Sequence, residues 1–201
     1  MLAVTVPPPS APRGKRTTRE LRLALRDAMT AEARAEASAR IAAAVEALLA
    51  ARCAPGATIG LYAGKGTEVD TAPLAAAAAR LGFAVAYPRV QAGRRTLAFH
   101  AVAEDALEVV PPFRLREPRP DAPPVALEAI AAFVVPGLAF DRAGGRLGWG
   151  RGYYDATLAQ VPAALRIGVA FECQLVERVP AEAHDISLHY IITEAATHAV
   201  G

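Results

Sequence analysis

The sequence is poor in lysine, cysteine and net charge. Lys15 and Lys65 are its only lysines, so nearly all of the 22 basic residues are arginine. With the alanine runs, that skew reads first as a genomic composition bias. Arginine's planar, bidentate affinity for phosphate or carboxylate gains meaning only where an arginine falls inside a motif. The net charge of +2 is too weak a bias for a nucleic-acid or membrane-surface partner, and neither is expected. Cys53 and Cys173 form no CxxC pair, which argues against a disulfide framework and makes a reducing cytoplasm the default. His100, His184, His189 and His198 show no zinc-ligand spacing alongside them. No apolar stretch reaches the ~20 residues that span a bilayer. Met1 to Gly14, with Pro7-Pro8-Pro9 and Pro12, has no basic region followed by an apolar core, so it is not a signal peptide. Its composition reads as a disordered leader over residues 1–14. There is no internal repeat, and no Ser/His/Asp or Cys/His constellation for covalent catalysis.

What remains is one domain, 15–201, since ~100–200 residues is the usual domain size. At 53% hydrophobic, the chain can cover both faces of a sheet. Thr17-x-x-Glu20 resembles a capping box, with a helix following to about Met29. Thr30 caps a second helix through Ala31–Ala51, with Ile41, Val45, Leu48 and Leu49 on one face. Thr58–Tyr62 is a short strand. Asp70 or Thr71 caps a third helix with Pro73 in its first turn, ending at Gly82. Phe83–Tyr87 is a strand stopped by Pro88, and Thr96–Val102 is another. A proline-rich excursion, Pro111 to Pro124, is too long and polar for a simple turn. Ala129–Val135 is an apolar strand, Tyr153–Val161 a helix, and Leu165–Phe171 and His189–Thr193 are further strands. Apolar strands separated by helices imply an α/β fold, a mostly parallel sheet with helices on both faces. In such sheets the ligand crevice lies beyond the carboxyl ends of the strands. That rim would gather Lys65–Asp70, Asp141–Asp155 and Glu172–Gln174.

The densest signal is Arg146-Leu147-Gly148-Trp149-Gly150-Arg151-Gly152-Tyr153-Tyr154-Asp155. Its alternating glycines let the backbone approach a ligand and turn several N–H groups toward one anion. The helix start that follows adds the positive end of its dipole. Arg146 and Arg151 are charge-assisted donors suited to phosphate oxygens, and Asp155 can hold Mg²⁺. The loop fits neither a Walker A pattern nor Gly-x-Gly-x-x-Gly. Taken alone, it reads equally as a flexible turn with a capping aspartate.

Val135-Pro136-Gly137-Leu138-Ala139-Phe140-Asp141 followed by Gly145 to Asp155 closely resembles the signature of the 5-formyltetrahydrofolate cyclo-ligase family. Glu68-Val69-Asp70-Thr71, Tyr87-Pro88-x-Val90, Leu97-x-Phe99-His100 and Glu117-Pro118 match in the expected order, so the resemblance runs from about Lys15 to Glu194. It implies a Rossmann-like three-layer α/β fold similar to that of sugar-phosphate isomerases and CoA transferases. The implied reaction converts 5-formyltetrahydrofolate and ATP to 5,10-methenyltetrahydrofolate, ADP and phosphate. By resemblance, ATP would be held by Lys15, Arg16, Thr17, Thr18 and Arg19 and by the run from Arg146 to Tyr154, with Leu147, Gly148, Gly150 and Gly152 among its loop positions. The folate would meet Glu68, Trp149, Gly150, Arg151, Gly152, Tyr153 and Tyr154. Arg146, Arg151 and Tyr153 would be catalytic, and Asp155 and Asp185 would bind Mg²⁺. The amino-terminal element departs from the family's Lys-x-x-Leu-Arg pattern: Thr18 replaces the leucine, and Leu21-Arg22 offers a competing register. Trp149, Tyr153 and Tyr154 read equally as ligand-stacking surfaces or as core aromatics. The expected assembly is a monomer or small homo-oligomer. The alternative reading is a non-catalytic or altered-substrate paralogue binding a nucleotide or folate.

Overall fold

The computed structural model describes residues 14–112 and 114–201. The proposed leader lies outside them except for Gly14. Helix α1 spans Lys15–Asp27 and α2 spans Ala31–Arg52. The Thr30 hydroxyl accepts from Ala33 N at 3.1 Å, capping α2 as its sequence implies. The capping box at Thr17 is a misreading: α1 begins two residues earlier, behind Gly14, and has no side-chain cap.

Strand β1 (Thr58–Gly60) leads to α3 (Ala72–Arg80), β2 (Ala84–Val90) and β3 (Leu97–Ala101). Asp70 Oδ1 accepts from Ala72 N at 3.0 Å at the start of α3. Pro88 does not stop β2. The parallel register with β1 ends at Gly60↔Ala86, while β3 continues opposite Pro88 through Phe99. Beyond Ala86 the strand therefore has a partner on one side only, the edge-like setting that tolerates proline. The proline-rich excursion is partly ordered into strands: β4 (Glu108–Val110) pairs with β5 (Leu115–Glu117), and β6 (Pro124–Val125) joins β3.

Next come β7 (Ile130–Val135), the two-residue strands β8 (Ala139–Phe140) and β9 (Arg146–Leu147), and α4. Helix α4 covers Tyr153–Leu158, shorter than expected. The chain closes with β10 (Leu165–Val169), β11 (Tyr190–Ile192) and β12 (Thr197–Ala199). The main sheet has the order β12-β11-β10-β7-β1-β2-β3-β6. Pairings from β11 across to β2 are parallel, and the outer strands run antiparallel.

Both faces are covered. Ile41, Val45 and Leu49 of α2 and Leu74 of α3 pack on Ile59, Leu61, Val134 and Ile167. On the opposite face Leu158, Val161 and Phe140 pack with Phe99, Phe133 and Val135. Phe99 and Phe133 meet edge to face at 5.2 Å. No helix among the described residues is long and apolar enough to cross a membrane. From β1 the chain moves outward through β2, and from β7 it moves the other way through β10. The carboxyl ends of β1 and β7 thus flank a topological switch point, where adjacent loops diverge and leave a crevice.

Candidate active site

A cleft of about 910 Å³ opens at that switch point. Tyr62 to Glu68 after β1 and Pro136-Gly137 after β7 form part of its wall. Helix α1 lies across it, tied to three loops. Arg19 Nε donates to Gly148 O at 2.8 Å, Arg22 Nη1 to Cys173 O at 2.9 Å, and Arg26 Nε to Thr67 Oγ1 at 3.1 Å.

Helical periodicity decides which α1 residues reach the cleft. Lys15, Arg19, Leu23 and Arg26 share a face and line it. Arg16, Thr17 and Thr18, expected at the nucleotide, are not in the wall: Thr17 and Thr18 lie around the helix from that face, and Arg16 sits in the first turn with its side chain turned to solvent. Arg16 is exposed beside Glu20, Thr17 is exposed, and Thr18 is buried. The competing register also lapses, since Arg22 turns to the loop after β10. Lys15 Nζ reaches Glu182 at 2.9 Å and Asp185 at 3.4 Å.

The glycine loop is aimed by the β8–β9 hairpin. Asp141 closes its turn by accepting from Ala143 N at 3.0 Å and Gly145 N at 2.8 Å. Its other oxygen accepts from Val179 N at 2.7 Å. Arg146 follows with its side chain only 6% exposed. One terminal nitrogen donates to Asp155 Oδ1 at 2.9 Å, and the guanidinium carbon sits 5.6 Å from the Tyr154 ring centre. The loop then winds through Gly150 and Gly152 at φ of +87° and +68°, left-handed conformations that side chains adopt only with strain. Every residue from Arg146 to Asp155 lines the cleft.

The aromatic residues divide. Trp149 is 61% exposed at the loop tip, and beside Glu68 it favours the charged carboxylate. Tyr153 and Tyr154 line the cleft but also pack on the core face that holds Phe140 and Leu158. The Tyr154 hydroxyl is buried with no hydrogen-bond partner among the described residues. An unmet hydroxyl in a ligand-sized cavity is a group awaiting a partner.

Glu68 stands across from the glycine loop. Its Oε2 accepts from Lys65 N at 3.0 Å. Burial pushes its carboxyl above the usual range, although the Lys65 amide, Arg26 and Trp149 pull the other way. Tyr62, buried nearby, is pushed up by burial and by the Glu68 charge.

Asp155 and Asp185 border one end of the cleft. Ile186 N, next to Asp185, donates to Asp155 Oδ1 at 3.4 Å. Asp155 Oδ2 forms no hydrogen bond with the described residues. Asp185 Oδ1 has His184 Nε2 no nearer than 4.0 Å. The described residues hold no cluster of three or more His, Cys, Asp or Glu fit for a metal ion. Two carboxylates with an oxygen each to spare nonetheless suit Mg²⁺, which takes one or two carboxylates and fills its octahedron with water and phosphate.

Sequence reasoning missed Arg26, Tyr62, Arg95 and Arg116 as wall residues. Arg26 had a readable signal, because it falls on the helical face already marked by Lys15 and Arg19. Arg95 and Arg116 arrive through the β2–β3 connection and the β4–β5 hairpin, which no local periodicity announces.

A family model described as the 5-formyltetrahydrofolate cyclo-ligase family matches residues 11–194. A 5-formyltetrahydrofolate cyclo-ligase of Escherichia coli strain K12 is 32% identical over 143 residues, covering 68% of this chain and 77% of the relative. One from Mycolicibacterium smegmatis is 40% identical over 83 residues, 40% of this chain and 43% of the relative. The solution structure of Aquifex aeolicus 5,10-methenyltetrahydrofolate synthetase superposes with a TM-score of 0.78 at 29% identity, covering 92% of each chain.

Proposed function

The chain belongs to the 5-formyltetrahydrofolate cyclo-ligase family, which makes it an ATP-dependent ligase forming 5,10-methenyltetrahydrofolate, and we propose that the cleft at the switch point performs this reaction. One observation carries the proposal: the glycine loop, the buried Arg146–Asp155 pair and the Glu68 carboxyl all face a single cavity of about 910 Å³.

The chemistry sets what such a cavity must do. A formamide oxygen is a poor leaving group, so ATP first phosphorylates it. The substrate's second amine then attacks the activated carbon, the new ring closes, and phosphate departs with the C–O electron pair. Positioning and charge neutralisation suffice for both steps, and no covalent enzyme nucleophile is needed. The amides of Gly148, Gly150 and Gly152, with Arg151 and Lys15, hold the triphosphate. Arg146, fixed by Asp155, neutralises charge on the phosphoryl group in transit. Tyr153 places its hydroxyl beside the reacting centre, and Glu68 accepts hydrogen bonds from the pterin. Asp155 and Asp185 would hold Mg²⁺, which supplies further neutralisation of the phosphates. The whole of 15–201 acts as one catalytic domain, alone or in a small homo-oligomer. The two half-buried cysteines, both free thiols, suit the cytoplasm as its compartment.

The test is methenyl product followed by its near-ultraviolet absorbance. Product is expected only with 5-formyltetrahydrofolate, ATP and Mg²⁺ together, and none from folded protein would reject the reaction. Calorimetry showing both ligands bound without turnover would point to the non-catalytic reading.

A pH dependence follows from Glu68. Its raised pKa means that the acid form appears at higher pH than for an ordinary glutamate. The acid form cannot accept two hydrogen bonds from the pterin, so KM for the folate is expected to rise as pH falls through that pKa. Tyr62 and Tyr154 are both pushed upward by burial and stay neutral there. A folate KM that begins to rise only below the ordinary carboxylate range would contradict the assignment.

A further inference from the structure

Arg26 has no part in the phosphate chemistry. It is 3% exposed and still lines the cleft. Its Nε is occupied by Thr67 Oγ1 at 3.1 Å, and the Thr67 hydroxyl donates onward to Asp27. This chain ties the last turn of α1 to the loop that carries Glu68. No hydrogen bond joins the terminal nitrogens of Arg26 to the described residues. They are not among the fully buried unpartnered atoms, so they open on the cleft, where a ligand acceptor can take their hydrogen bonds. The Arg26 charge acts on both Glu68 and Tyr62, so these groups occupy one end of the cleft.

That end therefore offers an acceptor and a fixed donor side by side. We propose that Arg26 and Glu68 together read the amide edge of the pterin, Arg26 donating to the 4-oxo oxygen and Glu68 accepting from the ring N–H and the 2-amino group. Arg26 is then a specificity-determining residue of the folate site, held in place by Thr67 and Asp27. The inference rests on the folate reading above. A 4-amino pteridine turns a donor toward the guanidinium, and a buried donor facing a donor loses its hydrogen bond outright.

Calorimetry with tetrahydrofolate and its 4-amino counterpart tests this without turnover. The wild-type chain is expected to bind the 4-oxo compound roughly 10-fold or more tightly than the 4-amino one, the scale of a hydrogen bond to a charged group. Arg26→Gln is expected to lower that ratio several-fold, on the order of one hydrogen bond to a charged group, the remainder coming from the ring N–H that Glu68 accepts and the 4-amino compound lacks. In turnover it should raise KM for 5-formyltetrahydrofolate roughly 10-fold, with KM for ATP unchanged. Equal affinities in the wild-type chain overturn the proposal, and so does an Arg26→Gln variant that keeps the wild-type ratio. Should Arg26→Gln not fold, Thr67→Val keeps the guanidinium but removes the hydroxyl that aims it and ties it to Asp27, and the ratio is expected to fall. An unchanged ratio there overturns the proposal. Failure of the reaction itself would show differently, as a wild-type chain that makes no methenyl product.

Discussion

Asp155→Asn is expected to lower turnover by about 10²–10³-fold, the scale of losing one preorganised group that stabilises transition-state charge, while the chain stays folded. The asparagine keeps an oxygen for Arg146 Nη2, now 2.9 Å from Oδ1, and for Ile186 N. What it loses is the negative charge that fixes the guanidinium and completes the magnesium site. Alanine would do more. The partners are only 6% and 16% exposed, and removing one member of such a pair leaves a buried charge alone, at about 3–5 kcal/mol. Alanine would therefore confuse lost catalysis with lost structure. Arg146→Met together with Asp155→Ala removes both charges and is expected to restore much of the stability but none of the activity. Turnover measured beside thermal melting separates the two effects. An Asp155→Asn enzyme with wild-type kcat would remove this residue from the mechanism.

The second large effect lies outside the cleft wall. Asp141→Ala is expected to destabilise the chain by at least ~3 kcal/mol, because it removes three backbone hydrogen bonds to a charged acceptor, each contributing about 1.5–3 kcal/mol. Asp141 is 3% exposed and accepts from Ala143, Gly145 and Val179. For a chain of this size that corresponds to a melting temperature lower by roughly 6–12 °C. Activity per folded molecule should fall as well, since the Asp141 turn sets the hairpin from which Arg146 enters the cleft. A melting temperature within about 1 °C of wild type, far short of that fall, would mean that water replaces the carboxylate without cost.

How much of this could be read from the residues varies by element. Helix α2 was legible from end to end, because a threonine cap precedes apolar residues at helical spacing and a Pro-Gly break follows. The inner strands were legible as apolar runs, and from them the mostly parallel sheet and its ligand rim. Strands β8 and β9 were not, since two residues carry no periodicity, and their pairing depends on the Asp141 turn. The capping box at Thr17 failed because a Thr-x-x-Glu pattern costs little on any exposed helical face and does not fix where a helix starts. Pro88 reads as a stop because one strand viewed alone does not reveal that its neighbour ends first. Within the cleft, the continuous run from Arg146 to Asp155 was visible as a unit. Arg95 and Arg116 belong to the wall through tertiary packing, and their neighbours in sequence point elsewhere.

The most direct test of the whole account is a crystal structure with a non-hydrolysable ATP analogue, Mg²⁺ and folate. The γ-phosphate is expected within hydrogen-bond reach of the 148–152 amides and the Arg146 guanidinium, with the metal on Asp155. A nucleotide bound elsewhere on the chain, with the 146–155 loop untouched, would contradict it.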